Sequence, residues 1–153
     1  MATLTTTITE KLVLNGSPQG GTVTKSTTSI VEAVKRIFAI TVAEVTIATF
    51  STAVASAGHY IAADVRYIRF TNLDGTNFIT LTFRNQDNDE AAIKLDAGQT
   101  FIWNGDNVNG MTAVFNATQD ADAASSSNFG SLTNIQADAD TSSCNLEMFI
   151  ASV

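Results

Sequence analysis

Apolar residues alternate with threonine and other polar residues along much of this chain, and the alternation has a period of two. Ile79, Leu81 and Phe83 interleave with Thr80, Thr82 and Arg84, and Leu4, Thr6 and Ile8 share one parity. Leu146, Met148 and Ile150 share one face, with Phe149 opposite. A period of two sends successive side chains to opposite sides of a strand, so each such run predicts a strand with one buried face. On this pattern strands are expected at residues 3–14, 22–29, 42–50, 60–72, 77–85, 91–95, 100–103, 111–115, 133–138 and 144–153. Residues 30–40 carry Val31, Val34, Ile37 and Phe38 at helical spacing, but their β-branched content favours a strand there too.

Turn signals punctuate these runs. Asp74-Gly75 lies between two aromatic-rich runs and predicts a meander, continued by a turn at residues 86–90 into the strands at 91–95 and 100–103. Asn15-Gly16 is followed by Ser-Pro-Gln-Gly-Gly, which predicts a loop longer than a two-residue hairpin. Small residues at 51–58 and an Ala-, Ser-, Asp- and Asn-rich stretch at 116–130 read as connections, the latter a solvated loop. Eight to ten strands with turns every 8 to 12 residues predict an all-β fold, an antiparallel β-sandwich of jelly-roll-like form. No fixed-period repeat points to a solenoid or propeller. The 153 residues form one expected domain, with residues 1–29 serving as an edge strand or an exchanged N-terminal arm.

Tyr67 and Phe70 fall on opposite faces of one strand, which predicts burial on both sides of it. The Thr-rich opening suits addition to a neighbouring subunit's edge, so Thr5 and Thr7 are candidate interface residues. Phe101 and Trp103 are the other candidates, since Trp103 ends a strand beside Asn104-Gly105, where an exposed indole would stack on a partner or a sugar ring. Core packing is the simpler reading of both aromatics. A carbohydrate module would also show more than one Trp and two Tyr.

Charge narrows the partners. The net charge is −7, and Lys94 is the last basic residue before seven unbalanced acids, Asp96 to Glu147. Nucleic-acid affinity depends on Lys and Arg displacing counterions, so direct DNA or RNA binding is not expected. No apolar run reaches the ~18 residues of a membrane helix, and the N-terminus lacks a basic region followed by an apolar one, so neither membrane span nor signal peptide is expected. Cys144 stands alone, which rules out an intrachain disulfide and predicts synthesis in a reducing cytoplasm.

The residues that do chemistry are sparse. His59 is the single histidine and precedes a strand, where it reads as a loop residue. With Cys144 it makes too small a set for a zinc site, and no Gly-x-Ser-x-Gly elbow occurs. Asp87, Asp89 and Glu90 cluster, but their setting is a hairpin turn without the glycine and distal glutamate of a calcium loop. The pairs Asp120/Asp122 and Asp138/Asp140 lack the aromatic surroundings that would raise one carboxyl's pKa for glycoside hydrolysis. No catalytic, metal or cofactor-binding residue is assigned, and an enzyme is not expected.

Residues 64–81 (D-V-R-Y-I-R-F-T-N-L-D-G-T-N-F-I-T-L), 94–103 (K-L-D-A-G-Q-T-F-I-W) and 144–152 (C-N-L-E-M-F-I-A-S) resemble small structural proteins of marine tailed phages, cyanophages among them. The opening L-T-T-T-I-T-E-K-L-V-L-N-G is similar in style to their N-termini. The resemblance spans most of the chain and rests on strand-type residues. It implies a virion component made in the host cytoplasm, with no catalytic residues to carry over. A capsid-decorating, cement-type role is the expected form, through contacts with the major capsid protein or neighbouring subunits and as a homo-oligomer such as a trimer. The alternatives are a tail or neck component and a carbohydrate-binding or adhesion module.

Overall fold

The computed structural model describes residues 1–51, 57–105 and 131–153. The strand expected at 111–115, the loop at 116–130 and the Asp120/Asp122 pair lie outside the described residues. Thirteen strands are described: β1 (Ala2–Thr9), β2 (Val13–Leu14), β3 (Ser17–Pro18), β4 (Thr22–Ile30), β5 (Glu32–Ile40), β6 (Val45–Ser51), β7 (His59–Ile61), β8 (Val65–Asn72), β9 (Ile79–Asn85), β10 (Glu90–Leu95), β11 (Thr100–Asn104), β12 (Leu132–Ala139) and β13 (Cys144–Ser152). The described residues contain no helix. The segment with competing helical spacing is strand β5, whose nine residues pair along their full length with β13.

Strands β5 to β13 build two sheets, ordered β10-β9-β12-β6-β7 and β11-β8-β13-β5. Every pairing is antiparallel except that of β6 with β7. The pairing is nested: β5 lies against β13, β6 against β12, β8 against β11 and β9 against β10. Inward residues of both sheets merge into one core cluster, the architecture of a β-sandwich. Register aligns them, with Met148 opposite Phe70 and Ile150 opposite Ile68 in one sheet, and Ala137 opposite Leu81 and Ile135 opposite Phe83 in the other. All eight of these side chains are at most 1% exposed. Burying a side chain the size of Leu, Ile, Phe or Met contributes about 1.5–3 kcal/mol, which is why the period-two pattern selects its own inward face.

The expected meander across Asp74-Gly75 does not form. β8 and β9 belong to different sheets, and the segment between them crosses the sandwich. Asn72 makes the corner: it is fully buried, its amide donates to the carbonyls of Asn77 (2.9 Å) and Leu95 (3.1 Å), and its Oδ1 accepts from Asp74 N–H (2.9 Å). The Asp74 carboxylate then accepts from Asn77 N–H (2.7 Å) and Thr76 N–H (2.8 Å), and these bonds, the first foremost, hold its pKa below the usual carboxylate range. A turn pair marks where the chain reverses, and long-range partners decide which strand lies alongside. Here both neighbours of β8 come from far along the chain. The hairpin that does form is β9–β10, closed by Asn85 Oδ1 accepting from Asp87 N–H (2.9 Å) and Asp89 N–H (2.8 Å).

Two other expectations change. The run at 60–72 divides into β7 and β8, one in each sheet, around a turn in which Asp64 N–H donates to Ile61 O (2.9 Å). Asn15-Gly16 closes a tight two-residue hairpin between β2 and β3, with φ of 51° and 80°, the sign that a type I′ turn requires. Residues 3–14 are therefore one side of a long hairpin. Gly20 lets its two sides close: a Cβ there would lie 2.0 Å from Glu10 O.

Candidate functional site

Strands β1 and β4 form a two-stranded ribbon separate from both sheets, and β2 and β3 continue it to the Asn15-Gly16 tip. Its root is anchored. Val31 N–H donates to Ser152 O (3.0 Å), and the preceding Ser29 takes a left-handed φ of 65° where the ribbon bends away from β5. Ile30 packs with Tyr67 and Ala151 in a second small cluster, joined by Leu4, Phe149 and Val153 on the outer face of the four-stranded sheet. Tyr67 meets Phe149 edge-on at 5.7 Å. This strand is thus buried on both sides, with Phe70 in the core and Tyr67 under the ribbon. Burial pushes the Tyr67 phenol's pKa up, against the opposing pull of Arg69 and a hydrogen bond with Thr6.

From its root the ribbon crosses toward edge strand β11, where Lys25 Nζ donates to Asn104 O (3.0 Å). Residues 7–24 are all exposed. The two faces of this stretch differ. Thr5 pairs with Ser26, Thr7 with Thr24 and Thr9 with Thr22, a hydroxyl ladder with 3.3 Å contacts at the last two pairs. The other face carries Leu4 opposite Thr27, Thr6 opposite Lys25 and Ile8 opposite Val23. Leu4 and Thr27 are covered by the body, whereas Ile8 is 48% and Val23 70% exposed. Leu12, Val13 and Leu14 at the tip are also exposed. An isolated two-stranded ribbon is marginally stable in water, so an apolar, uncovered end is a feature that a partner would relieve.

Between ribbon and sheet lies an open groove of about 340 Å³, lined on the ribbon side by residues 4–8, the candidates Thr5 and Thr7 among them, and on the sheet side by Tyr67, Arg69, Ile102 and Phe149. Beside it, Glu147 accepts from Lys35 Nζ (2.8 Å) and from Arg69. Its side chain is 12% exposed, and the lysine bond foremost, then the arginine charge, lowers the carboxyl pKa against the cost of burial.

The four residues singled out from the sequence fall into two groups. Thr5 and Thr7 lie in the hydroxyl ladder of the ribbon. Phe101 and Trp103 turn inward from β11 and pack against the main core, Phe101 with its ring 5.6 Å from that of Phe83. The Trp103 indole also backs onto Gly105, where a Cβ would lie 2.1 Å from the ring. Sequence reasoning passed over Ile8, Leu12, Val13, Leu14 and Val23, although an apolar Leu-Val-Leu run beside a turn was the available signal.

The other reactive residues stay scattered. Among the described residues no group of three or more His, Cys, Asp or Glu side chains converges as metal ligands would. Glu90 pairs with Arg84, and Asp89 accepts from Asn85 Nδ2 (3.1 Å), so both serve the β9–β10 hairpin. His59 is exposed on β7. Cys144 is buried, which raises its thiol pKa, reinforced by Asp74 and Asp140. No protein-family model matches this chain, and no curated protein is significantly similar to it.

Proposed function

We propose that this chain is a non-enzymatic structural subunit of a tailed-phage virion, a capsid-decorating or cement-type protein that acts through subunit contacts. The observation that carries the reading is the ribbon: 18 consecutive exposed residues, projecting from a well-packed sandwich and ending in uncovered apolar side chains. A protein that holds neighbours needs a rigid body and a reaching element, and the aromatic residues of this body are spent mainly on its own packing. The net charge of −7 favours the outer surface of a shell, away from packaged polyanion.

A jelly-roll reading of the sandwich belongs to the same proposal. It is supported by the nested pairing of β5 with β13, β6 with β12, β8 with β11 and β9 with β10, as when one long hairpin is rolled up. Jelly rolls recur in capsid and lectin domains, which is an analogy of fold and not of site. A glycan-binding reading loses its anchor, because Trp103 faces the core. A tail or neck station would use the same ribbon, and its place in the particle separates it from a capsid role.

The test mixes the isolated chain with emptied or expanded capsids and images the particles. Saturable binding to the outer surface at a symmetry-related copy number is expected. Failure to bind any shell would overturn the virion-surface reading, and density confined to the neck or tail would replace decoration by that station.

A further inference from the structure

We infer that the ribbon tip of one copy docks on the outer face of the four-stranded sheet of a second copy, in the groove between that copy's own ribbon root and its sheet. This rests on reading the ribbon as an assembly device. The tip residues Leu12, Val13 and Leu14 lie farther along the ribbon than Lys25, which bonds Asn104 O, and all three are exposed. The groove is apolar at Ile102 and Phe149, and exposed Ile37 continues the same sheet face, across from Glu147.

Three observations favour a second copy as the occupant. The first is continuity: the groove extends the contact that Leu4 already makes with Tyr67 and Phe149, and Ile8 leads from it toward the tip. The second is charge. Residues 1–30 contain Lys11 and Lys25 against Glu10, while the rest of the chain holds 6 of the 8 basic and 14 of the 15 acidic residues. Two bodies therefore repel each other, and the ribbon is the part of the chain that another body does not repel. The third is the state of Arg69, the cation among the groove's described lining residues. Arg69 is already paired with Glu147, which Lys35 also binds, so an apolar tip laid over it strands no lone charge. The type I′ turn holds the tip in shape beforehand, which lowers the ordering cost of docking.

Tip and groove are different surfaces, so a closed assembly uses each once per copy, either by reciprocal exchange in a two-fold dimer or head-to-tail in a small ring. The test is sedimentation velocity on the full chain across a dilution series. Wild type is expected to form a closed oligomer that dissociates on dilution. The tip variant Leu12→Ser/Val13→Thr/Leu14→Ser and the groove variant Ile102→Lys should each lose the oligomer while keeping the unfolding midpoint of wild type diluted to monomer, read by Trp103 fluorescence. An equimolar mixture of the two retains one intact tip and one intact groove, and should form dimers and nothing larger. A wild type that is monomeric at every concentration, a variant that assembles like wild type, or a mixture that stays monomeric would each overturn the inference. Binding of monomers to shells through the tip would overturn it while leaving the virion role intact. A closed oligomer that binds no shell would do the reverse.

Discussion

Replacing Asn72 by alanine separates a strand crossover from a surface hairpin. In the structure the Asn72 side chain is fully buried and makes three hydrogen bonds, to Asn77 O, Leu95 O and Asp74 N–H. Each contributes about 1 kcal/mol net, and a carbonyl left buried without its partner costs more, so Asn72→Ala should destabilise by about 3 kcal/mol. At a solvent-facing hairpin turn the same change would stay within about 0.5 kcal/mol. Urea unfolding followed by Trp103 fluorescence reads the difference. With m of about 2 kcal/mol/M the midpoint should fall by about 1.5 M, with m itself unchanged. In a thermal scan the loss corresponds to about 6–12 °C for a domain of this size. Thr76→Ala, an exposed change in the same turn, is the control and should be near neutral. A loss below about 1 kcal/mol for Asn72→Ala would refute the corner as the element joining the two sheets.

Phe83→Ala removes a ring that is 1% exposed and packed on Phe101, so a loss of about 3–5 kcal/mol is expected in the same urea assay. A smaller loss would show that the core collapses around the gap. Acid should destabilise the fold through Asp74 and Glu147, both of whose folded pKa values lie below the unfolded ones. Their contribution is complete above the ordinary carboxylate range near pH ~4 and is lost as pH falls through the lower folded values. The stability gap between wild type and Asp74→Ala should therefore narrow on acidification, and a gap independent of pH would contradict this account. Cys144 is 1% exposed with its thiol pKa raised, so a thiol reagent should label it slowly in the native protein and rapidly in denaturant. Immediate labelling under native conditions would show that β13 opens locally.

Strand identity was legible because burial acts on the pattern itself. The alternation at Ile79, Leu81 and Phe83 states which side chains leave water, and that holds whichever strand lies alongside. The inward faces of β8, β9 and β13, the burial of β8 on both sides and the all-β class follow from this local rule. Strand neighbours were not legible. The residues around Asp74-Gly75 are compatible with a hairpin or a crossover, and the choice fell to β10 through β13, whose registers hold β8 and β9 in different sheets. The ribbon shows the same division. Its threonine-rich strands could be read from residues 1–30, and Thr5 and Thr7 with them. That its apolar end stays uncovered, while Phe101 and Trp103 turn into the core, depends on which surfaces the rest of the chain can reach. The sequence by itself determined which side chains gain from burial, because the transfer of apolar surface from water is a property of each residue. Only the tertiary structure decided what buries them, because sheet order is a competition among hydrogen-bonding partners distant in the chain.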